Sequence, residues 1–201
     1  MDHYFTNSQN LKSEIKQINF TYNGKDYIFF CDNGVFSKEH IDYGSRLLVD
    51  TFLKEPHQSG SILDIGCGYG FIGIVTGKNL DSNVTLVDVN KRALHLAKMN
   101  LEKNNVSGNV IESYAYDNVS GTYDYIITNP PVRAGKKVLL DILVGAKEHL
   151  KDSGTLWYVL RKDQGAKSIQ KILNEHYKVN LVEKSKGFYI FCCNKCWQKP
   201  F

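Results

Sequence analysis

The run Leu63-Asp64-Ile65-Gly66-Cys67-Gly68-Tyr69-Gly70 sets a carboxylate two residues before three alternating glycines. It leaves an apolar stretch that reads as a strand, 61–65, and enters one that reads as a helix, 71–79. Glycines at such a junction let the backbone turn tightly and approach a ligand at the carboxyl ends of the strands. Asp88 lies about twenty residues beyond Gly68, where an acid can hold both hydroxyls of a ribose. Gly68-Tyr69-Gly70-Phe71-Ile72-Gly73 is also a literal G-x-G-x-x-G, so the glycines alone leave an NAD site open. Asp64 discriminates between ligands. A carboxylate there repels a pyrophosphate but suits a zwitterion that carries an ammonium. S-Adenosylmethionine has an α-ammonium, a sulfonium and no phosphate. The turn therefore fits that cofactor better than a dinucleotide, with Asp64, Gly66, Gly68, Gly70 and Asp88 as its binding residues.

A second run, Thr128-Asn129-Pro130-Pro131-Val132, closes the predicted strand 123–128. The prolines stiffen the turn and hold Asn129 extended, at the same sheet edge as the glycine turn. The Asn129 amide oxygen and the Pro130 carbonyl are two hydrogen-bond acceptors. They answer a specific need. An aryl amino group is a poor nucleophile because its lone pair is delocalised into the ring. Two acceptors that take both amino protons drive the nitrogen toward tetrahedral geometry and aim its lone pair at a methyl carbon. Alignment then supplies most of the catalysis, where effective molarities reach roughly 10⁵ M or more. Asn129, Pro130 and Pro131 are the expected catalytic turn.

These turns need a frame, and the chain supplies an alternating one. Ile18–Tyr22 and Lys25–Phe30 flank Asn23-Gly24, a hairpin signal, with Asp32-Asn33-Gly34 as a further turn. Residues 42–53 carry Leu47, Leu48, Phe52 and Leu53 at helical spacing before Pro56. Strands are expected at 61–65, 83–87, 109–111, 123–128 and 154–160, with helices at 71–79, 91–104, 138–150 and 164–175. A terminal antiparallel pair is expected at 177–183 and 187–192. The fold class is α/β, a Rossmann-like and mostly parallel seven-stranded sheet with a C-terminal antiparallel hairpin, preceded by an N-terminal β-hairpin. Residues 1–60 read as a hairpin and helix packed on a core of 61–201, one domain overall.

Bulk composition sets few further bounds. The 201 residues, 42% hydrophobic and 23% charged, suit one soluble domain. A formal net charge of +4 permits an RNA partner without demanding one. No stretch approaches a membrane span and Met1–Phe5 has no leader pattern, so a cytoplasmic protein without a membrane partner is expected. Five cysteines, three of them Cys192, Cys193 and Cys196, lack the second pair that a zinc site needs. The six histidines have no ligand spacing, and no metal is expected. Monomer is the default state.

Taken together, Asp64–Gly70, Asp88 and Asn129-Pro130-Pro131 resemble the first, second and fourth motifs of class I S-adenosylmethionine-dependent methyltransferases. The Asn-Pro-Pro turn resembles that of amino-directed members. Upstream, Gly34-Val35-Phe36-Ser37 and Asp42-Tyr43-Gly44-Ser45-Arg46-Leu47-Leu48 are similar to a segment of the small-domain family of bacterial ribosomal RNA guanine-N2 methyltransferases. The resemblance runs from about residue 10 to 193. It implies a catalytic domain without that family's second half, a cofactor covered in part by Phe36, and an adenine ring bordered by Tyr114. It further implies ribosomal RNA, or a ribosomal subunit, as the partner. One position departs. Guanine-directed relatives usually carry an aromatic where this chain has Val132, to stack on a flipped base. Either Phe36 or Tyr43 supplies that surface, or the substrate is a protein amide or a small-molecule amine. Arg133, Lys136 and Lys137 beside Val132 are candidate phosphate contacts. A non-enzymatic RNA-binding module is disfavoured because Asp64, Asp88 and Asn129 are all present.

Overall fold

The computed structural model describes residues 14–32 and 41–195. Asn33, Gly34, Phe36 and Cys196 lie outside the described residues. The first element is a hairpin, β1 (Lys16–Tyr22) and β2 (Lys25–Cys31). Asn23 and Gly24 join them at φ of 48° and 69°, the doubly positive turn that the sequence predicts. Helix α1 (Tyr43–Lys54) follows. Then strands and helices alternate: β3 (Ser61–Ile65), α2 (Phe71–Leu80), β4 (Asn83–Asp88), α3 (Lys91–Asn104), β5 (Gly108–Glu112) and β6 (Tyr123–Thr128). The chain closes with α4 (Lys136–His149), β7 (Leu150–Arg161), α5 (Ala166–Leu173), β8 (Tyr177–Ser185) and β9 (Phe188–Lys195).

The second sheet has seven strands in the order β5-β4-β3-β6-β7-β9-β8. The pairs from β5 across to β7 are parallel, and β9 runs antiparallel to both of its neighbours. From β3 the chain winds outward through β4 and β5, then returns to β6 on the other side. The switch point between β3 and β6 is where open α/β sheets bind ligands. The terminal hairpin does not simply extend the sheet. Its second strand inserts beside β7, which leaves β8 at the edge.

Side-chain alternation divides the interior into two layers. Ile62, Leu86, Ile127, Trp157 and Val159 face one layer with Leu48, Phe52 and Ile74. Leu63, Ile126, Leu156, Tyr158 and Leu160 face the other with Leu139, Leu143 and Ile169. Cys192 and Cys193 are buried on opposite faces and form no disulfide.

Three predicted bounds are corrected. The strand expected at 154–160 begins at Leu150, which is buried and pairs with Tyr123. Pairing slips before Thr155 meets Tyr125, and Gly154 sits where a Cβ would stand 2.7 Å from the Tyr123 carbonyl oxygen. The predicted helix end at 150 retreats accordingly to His149. The last helix starts at Ala166, not at 164, because Gly165 adopts φ 83° after a 3-10 turn over Lys162–Gln164.

The small hairpin is docked by two asparagines of α3. The Asn104 side chain accepts from the Ile28 amide (3.0 Å) and donates to the Ile28 carbonyl (2.8 Å). Asn100 does the same for Phe30 at 2.7 and 3.0 Å, and donates to the Tyr69 carbonyl at 2.8 Å. Both asparagines are buried. One turn apart on the helix, they match alternate residues of the strand and act as a substitute strand.

Candidate active site

The glycine turn leaves β3 with its first two amides anchored on β4. Gly66 and Cys67 both donate to the Val87 carbonyl, at 2.8 and 2.9 Å. Gly66, Gly68 and Gly70 have φ of 71°, 55° and 91°, all in the left-handed range that favours glycine. A Cβ on Gly68 would meet nothing within 4 Å, so the turn faces open space. The cleft beside it is lined by Gly66, Asp88, Ser113, Tyr114, Pro131 and Ile142, among others. Tyr114 therefore borders the same space as Asp88.

Asp88 braces this turn. One oxygen accepts from the Gly68 amide and the other from the Asn90 amide, each at 2.9 Å. Burial nonetheless raises its pKa from the ordinary carboxylate value. The Val89 amide also bonds this carboxylate, which keeps an acceptor position for a ligand hydroxyl. Asp64 sits beneath the turn and is fully buried. Its Oδ2 accepts from the Gly73 amide in α2 at 2.8 Å, while its Oδ1 meets no hydrogen-bond donor among the described residues. Burial pushes its pKa up to about 7, the Gly73 bond opposes this, and the Asp88 charge adds to it. The Cys67 thiol, between these two carboxylates, is pushed well up by burial and stays protonated.

The Asn-Pro-Pro turn meets the glycine turn across the switch point. The Thr128 hydroxyl donates to the Ile65 carbonyl at 2.6 Å. A Cβ on Gly66 would lie 3.7 Å from Cδ of Pro131, in ordinary contact. Pro131 has φ −73° and ψ 77°, and the Val132 amide donates to the Pro130 carbonyl at 2.9 Å. This is an inverse γ-turn. The Pro130 carbonyl thus spends one lone pair within the turn and retains the other. The Asn129 amide nitrogen donates to Asp42 Oδ2 at 3.0 Å and to Ser45 Oγ at 2.9 Å. Both partners belong to the start of α1, where Asp42 also caps the helix.

Val132 opens a 3-10 turn, Val132–Ala134, and packs against the second core layer. Arg133 and Lys136 are exposed, whereas Lys137 is paired with Asp141 at 2.7 Å. The Tyr114 hydroxyl donates to the same Asp141 oxygen at 2.6 Å.

One aromatic was not legible as a site residue. Phe188, at the start of β9, stands beside α1: a Cβ on Gly44 would lie 2.9 Å from its ring and 3.1 Å from Asp42 Oδ2. Its ring centroid is 5.5 Å from that of Tyr43. Lys186 lies 4.8 Å over the Tyr43 ring and Arg161 lies 5.5 Å over the Phe188 ring. Only the fold joins these residues, which is why spacing in the chain gives no hint of them. Among the described residues no cluster of side chains could hold a metal, and no helix is long and apolar enough to cross a membrane.

The profile of the methyltransferase small domain family matches residues 26–192. The uncharacterized Bacillus subtilis protein YbxB is 43% identical over 96% of the chain and 98% of its own length. Ribosomal RNA small subunit methyltransferase C of Photorhabdus laumondii is 43% identical over 61% of the chain, which aligns with 37% of that protein. Among solved structures, the Thermus thermophilus 16S rRNA N2 G1207 methyltransferase, in complex with AdoMet and guanosine, superposes with a TM-score of 0.82 at 19% identity. That match covers 95% of this chain and 53% of that one. A ribosomal protein L11 methylase from Lactobacillus delbrueckii superposes at 0.67, with 18% identity and 76% and 78% coverage. The expected fold class and the family resemblance both hold, and the dinucleotide reading gives way. The chain belongs to the methyltransferase small domain family, and its enzyme class is that of an S-adenosylmethionine-dependent methyltransferase.

Proposed function

We propose that this enzyme methylates an exocyclic amino group of ribosomal RNA, the N2 amino group of a guanine. The observation that carries the reading is the seating of Asn129-Pro130-Pro131 against Gly66 at the switch point, tied by the Thr128–Ile65 bond. Two acceptors for an amino group thereby adjoin the turn that suits the methyl donor.

S-Adenosylmethionine supplies an electrophilic methyl group when bound. The chain's own residues supply recognition and alignment. Gly66, Gly68 and Gly70 shape the backbone cradle, and Asp88 takes a ribose hydroxyl with its remaining acceptor position. Tyr114 borders the adenine side. Asp64 provides the buried negative charge that the donor's ammonium balances, which suits a carboxylate with an unpartnered oxygen. Asn129 Oδ1 and the second lone pair of the Pro130 carbonyl take the two amino protons of the acceptor.

The RNA partner is supported by the ribosomal RNA relatives and by the surface beside Asn129. There, Tyr43 and Phe188 supply aromatic surface with Lys186 and Arg161 stacked over one face of each, and Lys186 offers charge for a phosphate while Arg161 is paired with Asp163 at 2.9 Å. The aromatic pair would fill the role that Val132, partly buried against the second core layer, leaves open. Phe36 remains assigned by resemblance alone.

The test is transfer of tritiated methyl groups to small ribosomal subunits from cells lacking the gene, followed by nucleoside analysis. The expected product is N2-methylguanosine. Label found only in protein would refute the RNA reading and favour the amide substrate.

A further inference from the structure

An asparagine side chain has two orientations that exchange its oxygen and its NH2 group. Only one of them serves a reaction that needs an acceptor. With the other, Asn129 would point donors at a substrate amino group. The protein must therefore enforce one orientation.

We infer that Asp42 and Ser45 are positioning residues that lock the Asn129 amide with its oxygen toward the substrate. The inference rests on the reading of Asn129 as an acceptor. The two N–H groups of Asn129 are both committed, at 3.0 Å to Asp42 Oδ2 and at 2.9 Å to Ser45 Oγ. An ionised carboxylate accepts hydrogen bonds and donates none. Turning the amide over would set its oxygen against that carboxylate and lose a charge-assisted bond. Asp42 is itself immobilised, because the same Oδ2 accepts the Ser45 amide at 2.8 Å as the cap of α1. Ser45 is buried. Gly44 between them admits Phe188 and the Asp42 carboxylate at distances that a Cβ would obstruct. The lock is thus built from three elements, and its partners are 84 and 87 residues away from Asn129 in the chain. The carboxylate also polarises the amide through its N–H, which strengthens Oδ1 as an acceptor.

Five variants and one spectroscopic reading test this. Asp42→Asn preserves a good helix cap, so α1 survives. It removes the obligate acceptor, and methyl transfer at saturating donor should fall about 10–100-fold, with donor affinity by calorimetry unchanged. Asn129→Asp alone places two carboxylates face to face and should be impaired. Adding Asp42→Asn to Asn129→Asp removes one of the two facing charges. Activity should then recover by about tenfold over Asn129→Asp alone, a rescue that a loss of fold does not produce. In 15N-labelled protein the Asn129 side-chain resonances, assigned by their loss in Asn129→Ala, should shift on Asp42→Asn.

The outcomes separate. Wild-type transfer by Asn129→Ala rejects the reading of Asn129 itself. An inactive Asn129→Ala combined with wild-type rates for Asp42→Asn and Ser45→Ala, and with unmoved Asn129 resonances, overturns the lock and leaves that reading standing. Should the wild-type protein methylate no ribosomal subunit, the RNA reading fails, and the resonances still decide the lock.

Discussion

Burial lifts the Asp64 carboxyl to about 7, where in the unfolded chain it titrates near the usual carboxylate value of about 3.9. Between those values the folded protein binds more protons than the unfolded one. Stability therefore falls as pH rises through this window, and the penalty is complete above pH 7. Asp64→Asn keeps an acceptor for the Gly73 amide and removes the ionisation. The variant should melt above the wild type at pH 8, and the difference should shrink as pH falls through this window and vanish below about pH 4 in thermal denaturation. Donor affinity should move the other way and fall at pH 8 by about tenfold or more in calorimetry, since a charged pairing is lost. At Asn129 the expectation is simpler. Asn129→Ala should lower the single-turnover methylation rate by about 100-fold or more, while donor affinity stays close to wild type. An equal loss in both would make Asn129 a cofactor residue.

At the scale of elements, α1 and α3 carry most of what the sequence left unsaid. Asn100→Ala strands both backbone groups of Phe30 and the Tyr69 carbonyl. Unsatisfied buried groups cost roughly 1–3 kcal/mol each, so this variant should lose about 3 kcal/mol or more in urea unfolding. Gly44→Ala should act locally. Its Cβ would stand 2.9 Å from Phe188, and the first turn of α1 must shift with Asp42. Methylation should drop about tenfold with a small change in melting temperature. The elements themselves were largely legible, because strand and helix periodicities are local. Their bounds failed where backbone contacts decided, at Leu150 and Gly165. The motifs announced Asp64, Asp88 and Asn129 by spacing. Sequence spacing could not show that Asp64 would be buried under its own turn. Nor could it reveal Asn100 as a strand substitute, or Phe188 as neighbour to Asp42, since each depends on the packed tertiary arrangement.

For the molecule as a whole, the net charge of +4 is modest, so the RNA binding proposed above would come from local concentration of charge. Arg161 and Lys186 by the aromatic pair, with Arg133 and Lys136 across the Asn-Pro-Pro turn, are the candidates. RNA affinity should fall with salt, and Lys186→Ala should reduce the log–log salt slope by about one, whereas Arg161→Ala should alter it less because Asp163 pairs with Arg161 at 2.9 Å. Lys137→Ala should alter it less, as Asp141 already balances that charge. Filter binding across a salt series reads all three. The Asn100 side chain has a last consequence at this scale. It bonds at once to the Phe30 amide in the hairpin and to Tyr69 inside the glycine turn. Whatever quiets the turn must also quiet the hairpin. Addition of the methyl donor should therefore slow hydrogen exchange at the Phe30 amide, turning a strand far from the reaction in sequence into a reporter of cofactor occupancy.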